Sequence, residues 1–82
     1  MLIKFRFMCV DIPAGKGNGE MEIPDGATVS EALTAYARQN DVGMPVGKLL
    51  KSMFLVGSAP AQPGRVLNDG ERLTVVRTME GG

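Results

Sequence analysis

The sequence predicts an α+β fold: a small mixed sheet of four to five strands with one main helix packed on one face. Three observations carry that expectation. Leu2 to Val10 and Arg72 to Thr78, near the two ends of the chain, alternate with period two. Between them, Val29, Ala32, Leu33, Tyr36 and Ala37 recur at helical spacing. The rest is short and punctuated by Gly and Pro, and 82 residues suffice for one small core without repeat or linker.

In the first strand Ile3, Phe5, Phe7 and Cys9 fall on one side, and Lys4 and Arg6 on the other. Asp11 to Gly19 holds Pro13, Gly15, Gly17 and Asn18 and is expected to be a flexible hairpin loop. Glu20-Met21-Glu22-Ile23 alternates again as the returning strand, and Pro24-Asp25-Gly26 ends it. Thr28 with Glu31 three residues on is a capping box, opening a helix over about Val29 to Gln39. Asn40 to Gly47 is expected to be irregular, Met53 to Val56 a short apolar strand, and Ala59 to Gly64, with Pro60 and Pro63, a loop. Asn68-Asp69-Gly70 is a turn into the last strand, where Leu73 and Val75 face inward. The first and last strands are the longest and most alternating, so they are the natural central pair; if parallel, the arrangement is a β-grasp.

Composition removes whole classes of function. Nine Lys plus Arg balance nine Asp plus Glu, which gives no support for nucleic-acid binding. No apolar run approaches a membrane span, and the charges in Met1 to Arg6 argue against a signal peptide. The single Cys9 cannot form an internal disulfide, so the chain reads as cytoplasmic. Without histidine there is no imidazole base, and one thiol builds no zinc or iron–sulfur site, so neither a catalytic constellation nor a metal site is expected.

Two glycine-rich stretches invite a nucleotide reading and fail it. Gly15-Lys16-Gly17-Asn18-Gly19 leads into a strand, not into a helix N-terminus. Gly43 to Gly47 before Lys48 holds three intervening residues where a Walker A loop needs four, and Leu49 stands where Ser or Thr should hold Mg²⁺. Cys9 and Tyr36 share the parity or spacing of apolar neighbours and read as core.

What remains is the C-terminal Met79-Glu80-Gly81-Gly82. Two glycines leave the Gly82 carboxylate without flanking side chains, free to enter a narrow active site. Nothing there has an apolar face to pack, so the expected division is a domain over 1–78 and a flexible tail over 79–82. An extended tail from Thr78 reaches well over about 10 Å.

In this order, the opening Leu2-Ile3-Lys4-Phe5-Arg6-Phe7, the entry Pro24-Asp25-Gly26-Ala27-Thr28-Val29 with Glu31-Ala32-Leu33, the turn Leu67-Asn68-Asp69-Gly70-Glu71 and the terminal Gly81-Gly82 resemble the ubiquitin-like bacterial sulfur carriers (MoaD/ThiS-like). The resemblance covers the whole chain and favours the small subunit of molybdopterin synthase over the thiamine carrier. It departs at Val56-Gly57-Ser58, where the family often reads Val-Asn-Gly, at Glu71, where Asp is commoner, and at Val76-Arg77-Thr78, where prolines often precede the tail.

The resemblance implies a carrier, not an enzyme. A ubiquitin-activating-type adenylyltransferase would adenylate the Gly82 carboxylate with ATP-Mg, and sulfur would then replace AMP to leave a thiocarboxylate. That group would donate sulfur within a second partner, a synthase subunit of the molybdopterin or thiazole type. The carrier itself binds no cofactor and needs neither nucleic acid nor membrane. Docking is expected on the sheet face away from the helix: Met8, Thr74, Val76 and Thr78, with Arg6, Arg72 and Arg77 around the rim. Other metabolite pathways, a ubiquitin-like modifier joined to lysines by isopeptide bonds, and a noncovalent β-grasp binding module are the alternatives.

Overall fold

The structure, a computed structural model, describes residues 1–9, 12, 17–40, 42 and 45–77. Five strands, β1 Leu2–Cys9, β2 Gly19–Glu22, β3 Met53–Val56, β4 Ala59–Ala61 and β5 Arg72–Arg77, form one sheet in the order β2-β1-β5-β3-β4. Helices α1 Val29–Gln39 and α2 Val46–Leu49 complete the fold. The first and last strands are the parallel central pair, from Lys4↔Arg72 to Cys9↔Arg77, and the other pairings are antiparallel.

Alternation in β1 translates directly into burial: Ile3, Phe5, Phe7 and Cys9 are buried, and Lys4, Arg6 and Met8 are exposed. Helix α1 lies over the buried side with Val29, Ala32, Leu33 and Tyr36. The Tyr36 ring stacks on Phe5 with centroids 4.0 Å apart, and its hydroxyl donates to the Gly17 carbonyl at 2.6 Å. Gly19 lies directly across from Phe5 beneath that ring. A Cβ there would stand 2.6 Å from Tyr36 Oη, so this edge of the core requires glycine.

The capping box forms as expected. Thr28 Oγ1 accepts from the Glu31 N–H at 3.2 Å, and a Glu31 carboxylate oxygen accepts from the Thr28 N–H at 2.9 Å. The segment before β5 satisfies two more donors of that helix end: Val29 and Ser30 N–H groups donate to the Arg65 and Pro63 carbonyls. The turn that follows launches β5 beside β1. Asp69 Oδ1 accepts from the Leu2 N–H at 2.7 Å, and the Gly70 N–H donates to the Leu2 carbonyl at 2.8 Å. Gly70 adopts a φ of 83°. Glu71 closes the turn on itself, accepting from the Asn68 N–H at 2.6 Å and from both Arg65 guanidinium nitrogens at 3.1 Å.

Three local expectations are corrected. The returning strand is Gly19–Glu22 rather than Glu20 to Ile23, because Asn18 Oδ1 accepts from the Phe7 N–H and draws the pairing one residue earlier. Val46–Leu49 is a short helix that begins inside the stretch Asn40 to Gly47 expected to be irregular. One turn is too short to show a helical period, and only the fully buried Leu49 anchors it. Ala59–Ala61 is an edge strand rather than part of a loop, and with it the described sheet has five strands, within the expected four to five. Gly57, at φ 65°, makes the tight turn to it. Pro60 is tolerated because it sits opposite Leu55, one pair beyond the turn-closing pair Val56↔Ala59. Its nitrogen there faces out from the sheet edge, where no donor is needed.

Candidate docking face and tail

Register decides which side chains share a face. Along β5, Leu73 and Val75 stand beside Phe5 and Phe7 of β1 and beside Val56 and Phe54 of β3, under the helix. Residues of the other parity form the outer face. Its first row, at the end of β5 leading to the tail, is Met8–Val76–Met53. The second is Arg6–Thr74–Leu55–Pro60, and the third is Glu20–Lys4–Arg72.

The structure thus brings together five of the seven docking residues read from the sequence: Met8, Val76, Arg6, Thr74 and Arg72. Met8 is 52% exposed and Val76 half-buried. Thr74 lies in the middle of the face but is only 5% exposed, because neighbouring strands flank it on both sides. Arg77 is different: its register partner is Cys9, so it has the parity of the helix-covered side, where it is half-buried. Thr78, Met79, Glu80, Gly81 and Gly82 lie outside the described residues.

Two outer-face residues were missed from sequence. Met53, 65% exposed, is the most open large apolar side chain described, and Leu55 is half-buried beside Thr74. The alternation Met53, Leu55 against Phe54, Val56 was the available signal, but a four-residue apolar run gives no indication of which parity faces out. Met53 also borders a surface groove of about 360 Å³ between Ser52–Phe54 and Pro60–Pro63.

Charge surrounds the apolar row on one side. Lys4, Arg6 and Arg72 are exposed on adjacent strands and make no ion pair with the described residues, while Glu20 and Glu22 mark the β2 edge. The charge pairs that do form hold the frame. Arg65 beside Glu71 keeps its carboxyl below the ordinary range, and the Glu71 carboxylate in turn raises the Arg65 guanidinium. The Met1 ammonium is raised chiefly by its hydrogen bond to Asp25, with Glu22 adding to it. Burial raises the Tyr36 phenol, whose hydroxyl donates to the Gly17 carbonyl.

Cys9 is buried, its sulfur 3.6 Å from the Val75 carbonyl oxygen, as its core reading expected. Among the described residues no group of three or more His, Cys, Asp or Glu is placed to hold a metal ion. No described helix is long and apolar enough to cross a membrane. The described geometry therefore offers a surface with an apolar row and a cationic flank, continuous with the strand that leads to the tail.

No protein-family model and no curated protein matches the sequence. Solved structures do match the fold. SAMP1 from Haloferax volcanii is similar over 100% of both chains, at 17% identity and a TM-score of 0.72. A chain from the complex of subunits 1 and 2 of the molybdopterin-converting factor of Helicobacter pylori is similar over 100% of both chains, at 15% identity and a TM-score of 0.62. The resemblance drawn from the sequence is thereby borne out at the level of fold: the described residues form a β-grasp, ubiquitin-like fold.

Proposed function

We propose that the protein is a sulfur carrier whose reactive group is the Gly82 carboxylate. The single observation that carries this reading is the full-length likeness in fold to a chain of a molybdopterin-converting factor, in a sequence that ends in Gly81-Gly82. That similar chain was solved in a complex of two subunits, which supports a synthase subunit as one partner here. A ubiquitin-activating-type adenylyltransferase is the other, and it supplies the ATP-Mg.

The chemistry runs through the tail. A Gly82 carboxylate oxygen attacks the α-phosphorus of ATP, pyrophosphate leaves, and an acyl-adenylate forms. A persulfide sulfur then attacks the acyl carbon and expels AMP, giving an acyl disulfide. A second thiol cleaves its S–S bond, leaving a thiocarboxylate on Gly82 and carrying off the donor as a disulfide. The thiocarboxylate passes its sulfur to the acceptor, in this reading a molybdopterin precursor, and water restores the carboxylate. The domain supplies no acid or base; its part is to dock by Met8, Val76, Met53 and the arginine flank while Met79, Glu80 and the glycines carry the carboxylate inward. These steps take place in the cytoplasm, with no cofactor resident on the carrier.

ATP–pyrophosphate exchange with the activating enzyme tests the first step, and intact mass tests the second. The expected product has one oxygen replaced by sulfur at Gly82. Normal adenylation of Gly82→Ala counts against the reading, since its methyl group should obstruct a channel shaped for glycine. The same acyl-adenylate serves a modifier, in which a lysine amine displaces AMP. Lysine-linked conjugates without any thiocarboxylate decide for that alternative. Indifference to a C-terminal extension points instead to a noncovalent module.

A further inference from the structure

We propose that Met8 and Met53 form a reversible oxidation site that switches the docking face from apolar to polar. The proposal rests on the carrier reading and adds its regulation. Val76 lies in register with Met8 on one neighbouring strand and Met53 on the other, so the two thioethers straddle it. They are 52% and 65% exposed, whereas Met1 and Met21 are partly buried against the core. Cys9, the single thiol, is buried among core residues. Among the described residues, the sulfur open to an oxidant is therefore on the docking row.

The reaction needs a peroxide. The thioether lone pair attacks one peroxide oxygen, the O–O bond breaks and an S–O bond forms; sulfur loses two electrons and the other oxygen leaves as water or an alcohol. Two thiols reverse it, becoming a disulfide as the sulfoxide oxygen departs as water. The product is a polar sulfoxide in place of a soft apolar side chain. Because both residues point away from the helix, the core does not register the change. Docking does, since Val76 alone then remains apolar in its row. Loss of the apolar burial of even one such side chain weakens a contact about tenfold or more.

The test treats the full chain with hydrogen peroxide and maps oxygen uptake by peptide mass. Met8 and Met53 are expected to gain oxygen before Met1 and Met21, with far-UV circular dichroism and the urea midpoint unchanged. ATP–pyrophosphate exchange in an extract of the source cells should fall about tenfold. Methionine sulfoxide reductase with dithiothreitol should restore it. Each protein is compared with its own untreated sample, and the relative loss should be absent from M8L/M53L. A second readout needs no partner: retention on a phenyl matrix should fall in the oxidised protein and not in oxidised M8L/M53L. Unchanged exchange after complete oxidation of both residues overturns the proposal, as does an equal relative loss in M8L/M53L, or unfolding. If the untreated protein supports no exchange, the carrier reading fails instead. The switch in surface polarity is then decided by retention alone.

Discussion

The two faces of the sheet are built from the same three central strands and answer to different constraints. Under the helix, Ile3, Phe5, Phe7, Leu73, Val75 and Phe54 share one buried cluster with Val29, Ala32, Leu33 and Tyr36 of α1, and the Tyr36 hydroxyl has a carbonyl partner. On the outer face the same strands present Met8, Val76 and Met53 beside Lys4, Arg6 and Arg72, with no element of the described chain covering them. The inner face must satisfy packing before anything else. The outer face is free to be shaped by what it meets, so substitutions on it should alter binding while leaving folding alone.

The sharpest contrast lies within β5. Leu73→Ala removes a fully buried side chain from the central strand and should cost about 2–5 kcal/mol, read as a fall in urea midpoint. Val76→Thr, three residues on and half-buried, should shift the midpoint little. Equal losses would mean that the outer face is also a packed surface.

Next in size is the crowded edge of the core. Gly19→Ala places a methyl group against Tyr36 Oη and should cost about 1–3 kcal/mol. Tyr36→Phe alone should cost about 0.5–1.5 kcal/mol through the lost bond to the Gly17 carbonyl. The double variant should be more stable than the two losses summed, since the phenyl ring lacks the atom that clashes. Simple additivity would break this account of Gly19.

Met53→Glu tests the outer face directly. It should leave the thermal midpoint nearly unchanged and reduce pyrophosphate exchange about tenfold. A fall in stability without a fall in exchange would reverse the roles assigned to the two faces.

The smallest effect expected is at Glu71. Its carboxyl is held low first by the hydrogen bond from Arg65, so its contribution is fully present above the ordinary carboxylate range. It is lost as pH falls through the depressed value in the folded state. Glu71→Gln should therefore be less stable than the parent near neutral pH, and the gap should close in acid. Because the pair is partly open to solvent, the gap should be small. A gap that widens in acid would contradict the assignment.

How much was legible depended on whether a signal was local. The capping box at Thr28 and Glu31 and the full extent of α1 could be read because each is complete within a few residues. The burial of Ile3, Phe5, Phe7 and Cys9 followed from period two over eight residues. Edge strand β4 was hidden because proline reads as a strand breaker, and only its position at the sheet edge makes Pro60 harmless. Helix α2 was hidden because four residues contain no period.

The sequence by itself determined helix α1, the longer strands β1 and β5, the inward set of β1, and the absence of histidine and of a second thiol. It also supplied Gly81-Gly82, on which the proposed carrier reading rests and whose segment lies outside the described residues. Only the tertiary structure decided which residues become neighbours across strands. Register put Met53 next to Val76, made Leu55 part of the outer face and closed off Thr74 between two strands. The reason is that alternation along one strand fixes its two faces relative to each other, whereas side-by-side placement depends on hydrogen-bond registers between segments tens of residues apart.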